Sequence, residues 1–374
     1  MDITQPLPLL GGLSAQQFMT RHWQKKPLLV RGAVPGLAPV LTRTALFGLA
    51  SRDDVESRVV IQGKNWSLQR GPFTRRALPP LSRPGWTLLV QGVDLHEARA
   101  HEVLQQFRFL PEARLDDLMI SYATDQGGVG PHFDSYDVFL LQAQGRRRWR
   151  IGRQQDLRLR EGLPLKVLAR FEPEEEYLLD PGDMLYLPPR YAHDGIAQGE
   201  CQTYSIGMRS PARGELAREL LQRLSDDAEH TGDDVYRDAQ QRATEAPGAI
   251  PSQLQKFARD AVDAVLKEPW ALERALGEYL TEPKPDVWFE SDGSHGPMRR
   301  VRLDRRSRMM YDERHVFING ESYRASGRDA QLMRTLADRR YLAPVEVAAA
   351  SQAARSLLRS WCDAGWAHAA KAET

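Results

Sequence analysis

Between residues 117 and 209 the chain is a succession of short apolar segments with no helical period between them. They are DLMISYA (117–123), YDVFLLQAQG (136–145), RRRWRIG (146–152), EYLLD (176–180), DMLYLP (183–188) and CQTYSIGMR (201–209). Each is rich in β-branched or aromatic residues and most are bounded by Gly, Pro or Asp, as strands are. Strands so close together pair antiparallel, so a sandwich or barrel is expected. Closure would also remove the exposed edges that so many strands otherwise leave.

The flanks read differently. SAQQFMTRH (14–22) predicts a short helix with Ser14 as N-cap and Phe18 on its apolar side. Strands are expected at Pro27–Arg31, RVVIQ (58–62), NWSLQRG (65–71) and TLLVQG (87–92). After Pro211 the period becomes helical: Leu216, Leu220, Leu221 and Leu224 share a face, as do Leu254, Phe257, Ala261, Val262 and Val265, followed by Leu272, Leu276 and Leu280. Residues 226–251, rich in Asp, Gly and Pro, read as a long connection. From 282 onward VRL (301–303), RMMY (308–311) and HVFIN-GESYR (315–324) predict strands, with Asn319-Gly320 a hairpin-turn signal. Helices are expected at 329–340, 344–350 and 352–363, giving a small α+β tail like a winged helix. A chain of 374 residues exceeds what one hydrophobic core serves, so an α+β protein of three segments is expected, 1–211, 212–282 and 283–374.

Lys plus Arg total 51 against 50 Asp plus Glu, which excludes a sequence-blind nucleic-acid binder resting on cationic excess. The helix at 352–363 carries only Arg355 and Arg359, while Leu357, Leu358 and Trp361 read as core. The tail is thus expected to pack or dock protein, without direct sequence-specific nucleic-acid binding. Cys201 and Cys362 make no disulfide framework, which fits a reducing, cytoplasmic setting. Neither a basic leader before an apolar core nor a membrane span is read in the chain.

The chemistry concentrates in GGVGPHFDSYD (127–137) and GDMLYLPPRYAHDG (182–195). His132 and Asp134 are two apart, so on an extended strand both face one way. His193 follows the strand DMLYLP. His-x-Asp alone is common; the Gly-rich turn before it and the PGD turn before His193 raise its weight. Two histidines and one carboxylate form the facial triad of non-haem Fe(II) oxygenases, which leaves half the metal's octahedron free for a 2-oxo acid and O2. These ligands are the catalytic residues, because the oxidative chemistry belongs to the cofactor.

A bound 2-oxoglutarate also needs a cation for its distal carboxylate. In GRRRWRIG (145–152), alternation places Arg147 with Trp149 and Ile151, and Arg146, Arg148 and Arg150 opposite. The Trp/Ile face is the interior, so Arg147 is the buried arginine and a carboxylate its natural partner. The other three are expected to be solvated. Ser121, on the strand before the metal loop, is a weaker candidate for the same carboxylate.

The stretches HWQKKPLLVRG (22–32), DDLMISYATDQGGVGPHFDSYDVFLLQAQGRRRWRIG (116–152), PGDMLYLPPRYAHDG (181–195) and TYSIGMRSP (203–211) resemble JmjC-type bacterial ribosomal oxygenases, in particular those that hydroxylate an arginine of a ribosomal protein. The resemblance implies a double-stranded β-helix (cupin/JmjC) barrel, a helical dimerisation segment and a winged-helix-like tail. It implies iron on His132, Asp134 and His193, and 2-oxoglutarate on Ser121 and Arg147. The implied reaction is β-hydroxylation of an arginine in large-subunit ribosomal protein sixteen by a homodimer, with succinate and CO2 as co-products. Asp117 and Tyr136, with Ser205 weaker, are expected to meet the substrate guanidinium; the alternative for Asp117 is a strand-end turn residue. Other readings stay open: a histidyl hydroxylase or demethylase using the same iron site, or a non-catalytic cupin-like DNA-binding regulator.

Overall fold

The computed structural model describes residues 2–63, 66–227, 234–291 and 298–370. Asn65, at the head of the expected strand 65–71, and residues 228–233 of the expected connection lie outside them. The chain divides into two compact units, residues 1–210 and 211–374.

The first unit is built on a nine-stranded antiparallel sheet. Its strands are β1 (Leu28–Val30), β2 (Ser57–Ile61), β3 (Ser67–Arg70), β4 (Trp86–Val90), β5 (Leu115–Ala123), β6 (Val138–Gly152), β7 (Glu175–Leu179), β8 (Met184–Leu187) and β9 (Ala192–Met208). They run in the order β1-β8-β6-β9-β5-β4-β2-β3, with β7 also on β6. Two of them depart from the sequence reading. Segments 136–145 and 146–152 are one strand, β6, carrying register shifts between Gln142 and Arg146. The last strand begins at Ala192, nine residues before Cys201, so His193 lies inside β9.

Side-chain alternation sorts the sheet into two faces. Phe139, Leu141, Tyr186, Leu118, Ile120 and Tyr122 pack beneath the helices α1 (Ala15–Arg21), α2 (Arg43–Leu49), α3 (Val93–His96) and α4 (Ala98–Gln105). The sequence reading found only α1, whose Ser14 closes a reciprocal capping box with Gln17. The opposite face gathers Val138, Leu140, Trp149, Ile151, Leu179, Leu185 and Leu187. Positions 138 and 140 are even and 149 and 151 odd. The bulge between them inverts the parity, as an extra residue must.

The second unit begins with α5 (Arg213–Asp227), α6 (Ser252–Lys267) and α7 (Ala271–Thr281). Leu224 of α5 packs with Ala271 and Ala275 of α7, but Leu221 is 56% exposed and no residue of α6 is buried. Strands β10 (Arg300–Leu303), β11 (Met309–Tyr311), β12 (His315–Ile318) and β13 (Glu321–Arg324) follow. Helix α8 (Gly327–Arg339), strand β14 (Tyr341–Leu342), helices α9 (Pro344–Ala349) and α10 (Gln352–Asp363) and strand β15 (Ala367–Ala370) complete it. Asn319 and Gly320 turn between β12 and β13 with φ of 50° and 89°, as the dipeptide signalled. Leu358 and Trp361 of α10 point into the core with Val301, Leu336 and Leu342.

Candidate metal centre and anion pocket

His132 and Asp134 do not sit on a regular strand. His132 makes an isolated two-way bridge to His193: its N–H donates to the His193 carbonyl (3.0 Å) and the His193 N–H to the His132 carbonyl (2.8 Å). Asp134 lies just beyond, its own carbonyl accepting from the N–H of Arg190. One ligand atom from each of His132, Asp134 and His193 falls within 4.8 Å of the others.

Both imidazoles are oriented by backbone. Nδ1 of His132 lies 2.8 Å from the Gly130 carbonyl and Nδ1 of His193 lies 3.0 Å from the Tyr191 carbonyl. A carbonyl only accepts, so each Nδ1 carries the proton and each Nε2 presents a lone pair, the arrangement a metal requires. His193 Nε2 is 3.7 Å from an Asp134 oxygen. Burial, with the neighbouring His132 adding to it and Asp134 opposing, pushes the His193 imidazole down to about 4, so it is neutral at pH 7. Three neutral-or-anionic donors on one side fit a divalent cation and leave its other positions open.

The end of the metal loop is tied down by a residue that sequence reasoning missed. Asp137 is fully buried and accepts from the Tyr186 hydroxyl (2.6 Å) and the Gln24 amide (3.0 Å), with Arg114 at 3.4 Å. The burial of an acid among polar partners from three distant segments left no trace in the local pattern.

Arg147 is 4% exposed, as parity required. It shares its face with His193, because Arg147 pairs with Ala197 and Ile151 with His193 across β6 and β9. One guanidinium nitrogen, Nη1, donates to Ser121 Oγ at 3.1 Å. Nε and Nη2 are buried with no acceptor among the described residues. Two unsatisfied charged donors in a closed space suit a carboxylate. Of the other arginines in the run, Arg146 is exposed and Arg148 half-buried, whereas half-buried Arg150 pairs with the buried Asp194.

The proposed substrate residues lie on the same side of the sheet. Asp117 is inside β5 rather than at a turn, and its carboxylate accepts from Gln91 (2.9 and 3.2 Å) and from the Gly92 N–H (3.0 Å). Arg58 in turn donates to Oε1 of the Gln91 side chain. Tyr136 is 39% exposed; local burial and the carboxylates of Asp134, Asp117 and Asp116 raise its hydroxyl well above the ordinary range. Ser205 is half-buried and pairs with Met119 of β5 and Leu140 of β6. Gln91 and Arg58 escaped sequence reading because only the sheet order sets β4 beside β5 and β2 beside β4.

With the geometry described, its relatives can be identified. Residues 102–216 match the JmjC domain and residues 264–368 a ROXA-like winged helix, so barrel and site define a JmjC cupin fold. The chain is 34% identical over 284 residues to the ribosomal protein uL16 3-hydroxylase of Escherichia coli K12, covering 74% of this chain and 73% of that one. It is 34% identical over 210 residues to a probable ribosomal oxygenase of Haemophilus influenzae, 54% of this chain and 52% of that one. The X-ray structure of E. coli YcfD matches with a TM-score of 0.81 at 28% identity, over 95% of this chain and 98% of that one. A structure of the ribosomal oxygenase YcfD with cobalt and 2-oxoglutarate matches with a TM-score of 0.75 at 28% identity, over the same shares. The chain belongs to the JmjC ribosomal oxygenases.

Proposed function

We propose that this protein is an Fe(II)- and 2-oxoglutarate-dependent dioxygenase that hydroxylates an arginine side chain of large-subunit ribosomal protein uL16, releasing succinate and CO2. The observation that carries this reading is the buried Arg147 guanidinium, with two nitrogens unsatisfied, on the face that presents His193. His132, Asp134 and His193 would hold the iron, and Arg147 with Ser121 the distal carboxylate. Bound iron and 2-oxoglutarate supply the oxidising power for C–H hydroxylation. The protein's own share is to fix three ligands on one side, keep His193 neutral and bury the anion anchor.

For the substrate, the carboxylate of Asp117 and the ring of Tyr136 favour a guanidinium over an imidazole. Arg58 and Gln91 brace Asp117 from behind. Ser205 adds a hydroxyl on the same face. The ribosomal target rests on family membership and places the reaction in the cytoplasm.

Mass spectrometry of ribosomal proteins from a deletion strain tests the reaction and substrate together. A uL16 arginine peptide lighter by one oxygen than in the parent strain is expected; a peptide still oxygenated in the deletion strain refutes the assignment. Succinate formation in step with peptide hydroxylation separates an enzyme from a non-catalytic regulator. Dimerisation belongs to the same proposal, since Phe257, Val262 and Leu266 of α6 are exposed on one helix. Phe257→Lys with Val262→Lys should convert a dimer to a monomer in sedimentation velocity; a native protein that sediments as a monomer would sink this part.

A further inference from the structure

The pocket contains one more unsatisfied donor than the metal and anchor readings use. Trp149 is 5% exposed, and its indole Nε1–H, like Arg147 Nε and Nη2, is buried with no acceptor among the described residues. Around it in the barrel are Val138, Leu140, Ile151, Leu179, Leu185 and Leu187, with Tyr191 and Tyr177, whose hydroxyls donate to Glu174 and Glu175 and do not reach the indole N–H. Buried donors are almost always paired in folded proteins, so three unpaired ones on neighbouring residues of one face point to a shared acceptor.

Position supports this. Trp149 lies between the anchor and the metal face: the Arg147 guanidinium carbon is 5.8 Å from its ring and the His193 ring is also 5.8 Å away. Opposite it on β9 is Gly195. A Cβ at Gly195 would come within 2.6 Å of indole Cη2 and Cζ3, so the six-membered ring lies directly against the glycine. The absence of a side chain there makes the room that the indole occupies.

We infer that Trp149 is a third binding residue for the 2-oxo dicarboxylate, its Nε1–H donating to a carboxylate oxygen shared with Arg147. A carboxylate is acceptor-only, with about four lone-pair sites on its two oxygens, which suffices for all three donors. The inference rests on the 2-oxoglutarate reading and deepens it.

The test is equilibrium binding of 2-oxoglutarate, and separately of succinate, to the full-length chain loaded with Zn(II), followed calorimetrically without turnover. Trp149→Phe keeps an aromatic ring but removes the N–H together with the rest of the five-membered ring, so some packing is lost with the donor. Its dissociation constant for both dicarboxylates should rise about tenfold or more, as loss of a hydrogen bond to a charged group does. Zn(II) affinity should be retained, and the unfolding midpoint of the ligand-free protein should fall only by the packing lost with the smaller ring, because the N–H itself has no partner until the anion binds. Wild-type dicarboxylate affinity in Trp149→Phe overturns the assignment alone. Failure of the unaltered chain to bind 2-oxoglutarate overturns the underlying reading, and the assignment with it. Should Trp149→Phe not fold, Gly195→Ala serves: its methyl displaces the indole, so weakened 2-oxoglutarate binding with retained Zn(II) affinity supports the role, and unchanged binding overturns it.

Discussion

Each unit of this protein buries arginines, and the difference between two of them separates structure from chemistry. Arg340, in the second unit, is 7% exposed and donates through Nη2 to the carbonyls of Asp304 (2.7 Å) and Ser307 (3.0 Å). It closes a loop in which the Asp304 carbonyl also accepts from the Ser307 N–H. Arg147 is 4% exposed, yet two of its three nitrogens have no acceptor among the described residues. Burial of a charge with its partners in place is architecture; burial with the partners missing is a seat for a ligand. The same contrast extends to the carboxylates. Asp304 is enclosed by Arg306 and His368, whereas Asp134 stands beside two imidazoles with a ligand atom of each within 4.8 Å of its own.

The strongest way to break this comparison is at the metal ligands. Asp134→Ala should abolish peptide hydroxylation and Fe(II) binding while the barrel still unfolds cooperatively; measurable turnover would disprove the triad. Next come the two arginines, taken as a pair. Arg147→Leu should weaken 2-oxoglutarate binding by about a hundredfold, the scale expected for losing charge-assisted hydrogen bonds, with little loss of ligand-free stability. Arg340→Leu should do the reverse, lowering stability by about 2–4 kcal/mol in urea denaturation because the Ser307 carbonyl loses the Arg340 donor and the Asp304 carbonyl one of its two. If both variants behave alike, the distinction fails.

A smaller effect is expected at the substrate side. Asp117→Ala should raise the Michaelis constant for an arginine peptide by about tenfold or more, as loss of a charged hydrogen-bond partner does. An unchanged constant would remove Asp117 from the substrate pocket.

The smallest is an acid effect on the second unit. Burial opposes ionisation of Asp304, but hydrogen bonds from His368 and Arg306 outweigh it and hold the carboxyl well below the usual carboxylate range. Its folded pKa is therefore depressed, so its contribution is present above the unfolded carboxyl's pKa and is lost as pH falls toward the folded value. Asp304→Asn should destabilise the unit by about 2 kcal/mol at neutral pH and flatten its stability below the ordinary carboxyl range. An acid profile identical to wild type would show that Asp304 is not the group responsible.

Much of this was legible in one dimension. The crowding of short apolar segments announced an antiparallel barrel, because a parallel pairing needs a crossover connection for which the short links leave no room. Ser14 with Gln17 announced a helix start, and Asn319-Gly320 a hairpin, because caps and tight turns are local chemistry. The His132, Asp134 and His193 set proposed to hold the metal stood out from its turns and spacing, and Arg147 from two-residue alternation, because each signal rests on a few residues around each position. Tertiary structure alone decided what depends on contacts across the sheet. The bulge between Gln142 and Arg146 merged two expected strands into β6 and inverted its parity, a register change that only the partner strand defines. Placing His193 inside β9 bridged it to His132, and folding β2, β4 and β5 side by side lined up Arg58, Gln91 and Asp117. Whether a buried donor has an acceptor is likewise a property of space rather than of sequence, and it singled out the Arg147 guanidinium, which lacks an acceptor at two nitrogens.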